Sequence, residues 1–194
     1  MKIGCVVMAA GKGRRFGGNK LLAPLAGKPV LRHVLDALPR EELARVTAVA
    51  GSPEVMELCR VSGITARRNE SGLLSESVRL GIETMEGMDG CLFVMGDQPL
   101  CTAATLLRMI AAFQGDPFCI YRLCCQGLAG SPVLFPRSLF PRLMALAGEQ
   151  GGMTAVQGED IPIRLMEADG DFELWDIDTG QDLQRTEAFL LRNR

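Results

Sequence analysis

Histidine is nearly absent from this chain: His33 is the single one in 194 residues, and it falls inside a helical pattern. That excludes a histidine-built metal centre and makes histidine-based acid–base or nucleophilic catalysis a poor expectation, so His33 is read as structural. Aromatic residues are scarce at 5%, and Trp175 and the scattered phenylalanines are expected in the core rather than as a stacking platform. An excess of charge is lacking too. With 21 basic and 23 acidic residues the net charge is −2, which gives no general attraction to nucleic acid or to an anionic membrane, so any anion site has to be local. No apolar run approaches the roughly 18 residues that a membrane-spanning helix needs. The short apolar stretch from Ile3 to Ala10 is followed at once by Lys12, Arg14 and Arg15, which does not suit a signal-peptide cleavage region. Seven cysteines include no C-x-x-C pair, and they read as reduced, buried thiols of a cytoplasmic protein, Cys124 and Cys125 included.

Apolar residues, in contrast, are plentiful. At 47% hydrophobic content the chain can enclose a sizeable core, and a single domain over residues 1–194 is expected, with no linker or repeat. Short apolar runs alternate with helical patterns, the mark of strands joined by crossover helices. The expected fold is α/β and three-layered: a Rossmann-like, mostly parallel sheet with helices on both faces. Strands are expected at Ile3 to Met8, Val46 to Ala50, Ile64 to Ala66 and Cys91 to Met95. Pro29 opens a helix with Leu31, Val34, Leu35 and Leu38 on one face, and Ser52 caps a second. A third runs from Ser75 to Met85, and Thr102 caps a fourth with Leu106, Leu107 and Ile110 inward. Beyond Asp116 the rhythm changes: Cys119 to Leu123 and Val133 to Phe135 read as strands joined through Gln126 and Gly127, an antiparallel excursion at one edge. Short helices near 139–146 and 154–156, strands at Ile163 to Met166 and Trp175 to Ile177, and a helix from Gln181 to Leu191 complete the pattern.

The first strand runs into a loop, Ala9 to Lys20, that packs four glycines and four cations into twelve residues. Glycines let backbone N–H groups approach an anion closely, and the cations neutralise it, so the loop suits polyphosphate. It is not a P-loop, because Asn19 intervenes between Gly18 and Lys20 and no hydroxyl follows the lysine. Nor is it a dinucleotide fingerprint, since Phe16 stands at the third glycine position and the acidic candidate Asp36 lies inside a helix pattern.

The stretch A-A-G-K-G-R-R-F-G-G-N-K-L-L-A-P-L-A-G-K-P-V-L resembles the opening signature of the nucleotidyltransferases that activate sugars and molybdopterin. Asn69 to Gly81 resembles the base-binding segment of the molybdopterin cytidylyltransferase branch (MobA/MocA-like). Gly96, Asp97, Gln98, Pro99 is similar to that branch's metal-binding turn, and Asp176 to Thr179 with Asp182 and Leu183 to its C-terminal motif. Guanylyltransferases usually open with two glycines where this chain has Ala10 and Gly11, which leans toward cytidylyl transfer. The chain departs from the branch at Ser131, where Gly-His-Pro is usual, and at Glu149 and Met153, all read as lying on the acceptor side.

The resemblance implies a nucleotidyltransferase using Mg2+, with CTP as donor and a molybdopterin-like phosphate as acceptor. A molybdoenzyme apoprotein is a further partner, and neither nucleic acid nor membrane is. It implies that Ala10, Gly11, Lys12 and Gly13 cradle phosphates, that Asn69, Gly72, Ser75 and Ser77 serve the base, and that Arg15, Lys20 and Asp97 are catalytic. Asp97 and Asp178 are the implied metal ligands. The acceptor phosphate is already ionised, so charge neutralisation and in-line positioning are needed rather than a strong base. Other readings stay open from the residues alone: Asp97 as a turn former before proline, Asp178 and Ser75 as helix caps. At the level of function they are a same-fold enzyme using GTP or a sugar phosphate, and a non-catalytic accessory protein that binds a nucleotide or cofactor.

Overall fold

The computed structural model describes residues 1–11, 13 and 15–193, so Lys12, Arg14 and Arg194 lie outside the described residues. In chain order these form β1 (Ile3–Ala9), a minimal hairpin of β2 (Pro24–Leu25) and β3 (Lys28–Pro29), α1 (Val30–Ala37), β4 (Arg45–Ala50), α2 (Pro53–Val61) and β5 (Thr65–Arg68). There follow α3 (Leu74–Glu83), β6 (Gly90–Met95), α4 (Ala103–Gly115), β7 (Ile120–Cys125), β8 (Leu128–Pro136), α5 (Phe140–Met144), β9 (Ile163–Glu167) and α6 (Gly180–Arg192), with single 3-10 turns between.

Seven strands make one sheet in the order β5-β4-β1-β6-β8-β7-β9. The strand β1 pairs in parallel with β4 on one side and β6 on the other. It is buried on both faces, and its side chains divide with period two: Ile3, Cys5, Val7 and Ala9 join one core, Val6 and Met8 the other. Helices α1, α2 and α4 cover the first face and α3 and α5 the second, which gives the expected three layers.

Several sequence expectations are refined. The antiparallel excursion is the β7–β8 hairpin, but its reversed strand, β8, is inserted between β6 and β7, and the edge itself is β9, parallel to β7. The hairpin turns at Gln126 and Gly127, both with positive φ (51° and 81°), the pattern that matches strand twist. Leu107, expected inward, is exposed, because α4 turns Leu106 and Ile110 to the sheet instead. Trp175 to Ile177 forms no strand. Its one ladder-like bond runs from Ile177 N–H to the Asp97 carbonyl, after a 3-10 turn over Asp171–Leu174. Ser75 is not the cap of α3: the capping position is Leu73, and Ser75 sits buried in the first turn. His33 is structural, its Nε2 bonded to the Leu25 carbonyl at 2.8 Å. No described helix is long and apolar enough to cross a membrane.

Candidate active site

The order of the sheet creates a switch point. From β1 the chain steps outward to β4 and β5, then returns to the other side of β1 as β6, and a crevice opens beyond the carboxyl ends of β1 and β6. The glycine-rich loop follows β1 and Asp97 follows β6, so the fold brings these two motifs together. In the loop, Gly13 adopts φ +53°, and a Cβ there would lie 2.8 Å from the Gly18 carbonyl oxygen, so the turn admits glycine alone.

Lys20 begins a 3-10 turn whose next residue, Leu21, is buried. The turn carries the Lys20 side chain into the crevice, where it is 7% exposed and lies 2.6 Å from Asp97 Oδ2 and 2.8 Å from Asp178 Oδ1. Burial pulls the ammonium's pKa down, but the two carboxylates outweigh it, and the net shift is upward. Lys20 is therefore a fixed positive charge. Arg15, largely exposed, reaches Asp178 Oδ2 at 2.7 Å. Asp178 is thus held by two cations rather than spent as a helix cap. The cap of α6 is Thr179, in a reciprocal capping box with Asp182.

Asp97 Oδ1 is buried and has no hydrogen-bond partner among the described residues. A buried carboxylate oxygen facing no donor is costly unless a cation completes it, and Asp97 with Asp178 fits magnesium, which takes few carboxylates and keeps waters and phosphate oxygens. No cluster of three or more His, Cys, Asp or Glu suited to a metal occurs among the described residues.

A cleft of about 450 Å³ beside the loop is lined by Ala10, Gly11, Gly13, Gly72, Ser77 and Glu149, among others. The implied base-binding residues divide here. Asn69 is buried and its amide is fully engaged within its own loop: Nδ2 donates to Leu73 O and Ser77 Oγ, and Oδ1 accepts from Ser71 Oγ and Gly72 N–H. It shapes the segment that walls the cleft. Ser75 is not among the lining residues, and its backbone N–H donates to Gly148 O. Glu149, read from sequence as an acceptor-side residue, lines this cleft beside the glycine-rich loop, where the Ser75–Gly148 bond holds its loop. Met153 packs against the core beneath.

On the other side of Asp97 a second cleft, about 650 Å³, is bounded by Ser131, Gln98, Asp176, Trp175 and Arg185, among others. Asp176 opens into it, yet crowding by protein atoms and the neighbouring Asp97 carboxylate push its pKa up to about 6, against a hydrogen bond from Gln98. The side chain between the two aspartates, Ile177, is completely buried among Leu25 and Val30. This anchor turns Asp176 toward one side and Asp178 toward the other. Sequence reasoning named Gln98 and Asp176 in motifs but gave them no role, and the usable signal was the D-x-D spacing around a buried isoleucine. Trp175 is half-buried, with Arg185 over its ring at 3.3 Å, so it is neither a core residue nor an open platform.

The family profile of the MobA-like NTP transferase domain matches residues 5–163. Among curated proteins, the bifunctional protein GlmU of Parvibaculum lavamentivorans is 39% identical over 114 residues, which cover 55% of this chain and 25% of that protein. GlmU of Rhizorhabdus wittichii is 34% identical over 117 residues, covering 57% and 26%. The matched part of the chain spans about a quarter of the length of these relatives. A nucleotidyl transferase from Methanothermobacter thermautotroptrophicus is similar in structure with a TM-score of 0.84 at 25% identity, over 100% of this chain and 99% of that one. Rv0371c of Mycobacterium tuberculosis H37Rv, solved in complex with manganese, gives a TM-score of 0.78 at 26% identity over 97% and 99%.

Proposed function

From the premise that this chain belongs to the MobA-like NTP transferase family and is a nucleotidyltransferase, we propose that it moves a cytidylyl group from CTP to the phosphate of a molybdopterin-like acceptor, with release of pyrophosphate. Residues 1–194 act as a single domain in the cytoplasm, where the buried thiols stay reduced. The observation that carries the reading is the Lys20 ammonium held between Asp97 and Asp178 beside a glycine-rich loop.

In the reaction an acceptor phosphate oxygen attacks the α-phosphorus and pyrophosphate departs. The nucleophile is ionised at neutral pH, so no general base is required. Lys20 and Arg15 neutralise charge around the α-phosphate and the leaving pyrophosphate. The turn around Gly11 and Gly13 offers backbone N–H groups to the phosphates, with Lys12 assigned there by the family resemblance. Asp97 and Asp178 would hold Mg2+, which would screen phosphate charge and help to orient the triphosphate. The base rests in the cleft walled by the Asn69 segment, and the acceptor enters from the second cleft.

A second reading, a sugar-phosphate acceptor, is favoured by Ser131 in the second cleft, where the molybdopterin branch usually carries histidine. Pyrophosphate release measured with Mg2+, each ribonucleoside triphosphate in turn, and either molybdopterin or glucosamine 1-phosphate separates the two. Release with CTP and molybdopterin that disappears in Asp97→Ala is the expected result. No release under any combination overturns the reading.

A further inference from the structure

Among the described residues two charged side chains are buried, Lys20 and Glu173, and the proposed reaction uses only the first. Glu173 is 0% exposed and sits in the 3-10 turn Asp171–Leu174. A carboxylate is costly to bury, and the hydrogen bonds of this one come from neutral donors. Oε1 accepts from Thr102 N–H at 3.0 Å and from Thr105 Oγ1 at 2.8 Å. Oε2 accepts from Asp169 N–H at 3.1 Å and shares the Thr105 hydroxyl at 2.9 Å. Arg108, which can only donate, approaches the Thr105 oxygen at 3.1 Å, so the hydroxyl proton is left for Glu173.

The bonds of Glu173 bear on the carboxylates around Lys20. Thr102 follows Asp97 along the chain, and Glu173 precedes Asp178. Ile177 N–H donates to the Asp97 carbonyl at 3.0 Å, and Thr102 N–H donates to Glu173 at 3.0 Å. Segments 97–102 and 173–177 therefore run past each other in opposite directions and are tied at both ends. The single bond at Ile177 is a pivot. The tie at Glu173 removes the freedom to turn about it, and the bond from Asp169 fixes both segments to the chain just beyond β9. At the pivot stand the two carboxylates that grip the Lys20 ammonium, Asp97 at 2.6 Å and Asp178 at 2.8 Å.

We propose that Glu173 is a positioning residue of the nucleotidyl-transfer site. It touches none of the reacting groups. By clamping the turn after β6 to the segment before Asp178, it fixes the angle at which Asp97 and Asp178 face each other across Lys20. This rests on the reading of Lys20, Asp97 and Asp178 as the charged centre of the reaction.

Glu173→Gln keeps the shape of the side chain and breaks the clamp. An amide has one acceptor oxygen, so in either orientation its NH2 group meets a backbone N–H, that of Thr102 or that of Asp169. Thr105→Val removes only the shared hydroxyl, a milder loss that keeps the test open where Glu173→Gln folds poorly, and Thr105→Ser retains that hydroxyl. Ile3→Ala is the control, a core change at the start of β1, the end of the strand away from the site. Urea midpoints are measured for each variant with and without Lys20→Met. Distant changes add, whereas changes within one network do not. With the clamp gone the grip on Lys20 is already loosened, so Lys20→Met is expected to lower the midpoint of Glu173→Gln and Thr105→Val by less than about half of what it takes from the wild type. In Thr105→Ser and Ile3→Ala it should take the full amount. In pyrophosphate release, Glu173→Gln and Thr105→Val should lower kcat about tenfold at an unchanged KM for the triphosphate, while Thr105→Ser and Ile3→Ala keep both values. Additive midpoints in every background, or a kcat no lower in Glu173→Gln than in Ile3→Ala, overturns the proposal. No release from the wild type counts against the proposed reaction alone, because the unfolding cycle is read without substrate and still decides whether Glu173 acts on the Lys20 group.

Discussion

The backbone N–H of Ile177 donates to the carbonyl of Asp97 at 3.0 Å. This one bond joins the turn after β6 to the segment that carries Asp176 and Asp178, and the buried Ile177 side chain pins that segment against Leu25 and Val30. The spacing of the carboxylates is therefore set by a residue that carries no polar side chain. Ile177→Ala is expected to cost about 2–4 kcal/mol of stability, as a large-to-small change in a closed core does. It should also lower kcat more than it raises the KM for the nucleoside triphosphate. Urea unfolding and steady-state kinetics on the one variant check both.

Lys20 separates two carboxylates that would otherwise face each other. Removing it in Lys20→Met leaves the largely buried Asp97 without its partner, and breaking such a pair costs roughly 3 kcal/mol. A divalent cation can take the place of the ammonium. Millimolar Mg2+ should raise the urea midpoint of Lys20→Met by more than that of the wild type, while activity stays at least about a hundredfold down, since the transition-state charge has lost its fixed counter-charge. Equal Mg2+ effects on the two proteins would remove the metal role given to Asp97 and Asp178.

Buried thiols make stability fall at alkaline pH. Burial pushes Cys5 and Cys101 up to about 12 and Cys59 up to about 11. An unfolded thiol ionises near 8.5, so above that pH the unfolded chain binds fewer protons than the folded one, and the linkage slope is negative. Stability is whole below about pH 8 and is lost between about pH 9 and 12 as the unfolded thiols ionise. Urea midpoints at pH 7, 8, 9 and 10 should be level over the first two and then decline, and Cys59→Ala should decline less steeply.

Gly51, just after β4, packs against the start of the glycine-rich loop. A Cβ there would lie 2.9 Å from the Ala10 carbonyl oxygen, a backbone atom that cannot swing aside. Gly51→Ala should displace Ala10 and raise the KM for the triphosphate several-fold, with an overpacking cost of about 1–3 kcal/mol. An unchanged KM would show that the loop accommodates the shift without moving its phosphate-facing turn.

Much of this could be read from the residues. The apolar run of β1 is a fully buried strand and those of β4 and β6 are buried over most of their length, and buried strands are a strong signal in an α/β chain. The Ser52 and Thr102 caps stand where their hydroxyls face the first turn of a helix. The grouping of Lys20, Asp97 and Asp178 was implied by motif order, and their mutual distances agree with it. What could not be read depends on long-range register. The sheet position of β8 is decided by its pairing with both β6 and β7, and a residue count cannot supply that. That Glu149 borders the cleft beside the glycine-rich loop could not be read, because the Ser75–Gly148 bond, invisible in sequence, decides where its loop lies. Glu173 was overlooked altogether. Wholly buried, it bonds Thr102 N–H, Thr105 Oγ1 and Asp169 N–H, and so locks the start of α4 to the turn beneath Trp175.

Among the described strands of the large sheet, β8 alone runs against the rest, and this bears on how such a protein changes its trade. A reversed strand arrives by a two-residue turn, so Gln126, Gly127 and Ser131 travel together as one contiguous insert, whereas the loop after β1 is woven into crossovers that cannot be exchanged piecemeal. Exchange of that hairpin would reshape one wall of the second cleft and leave the group formed by Lys20, Asp97 and Asp178 where it is.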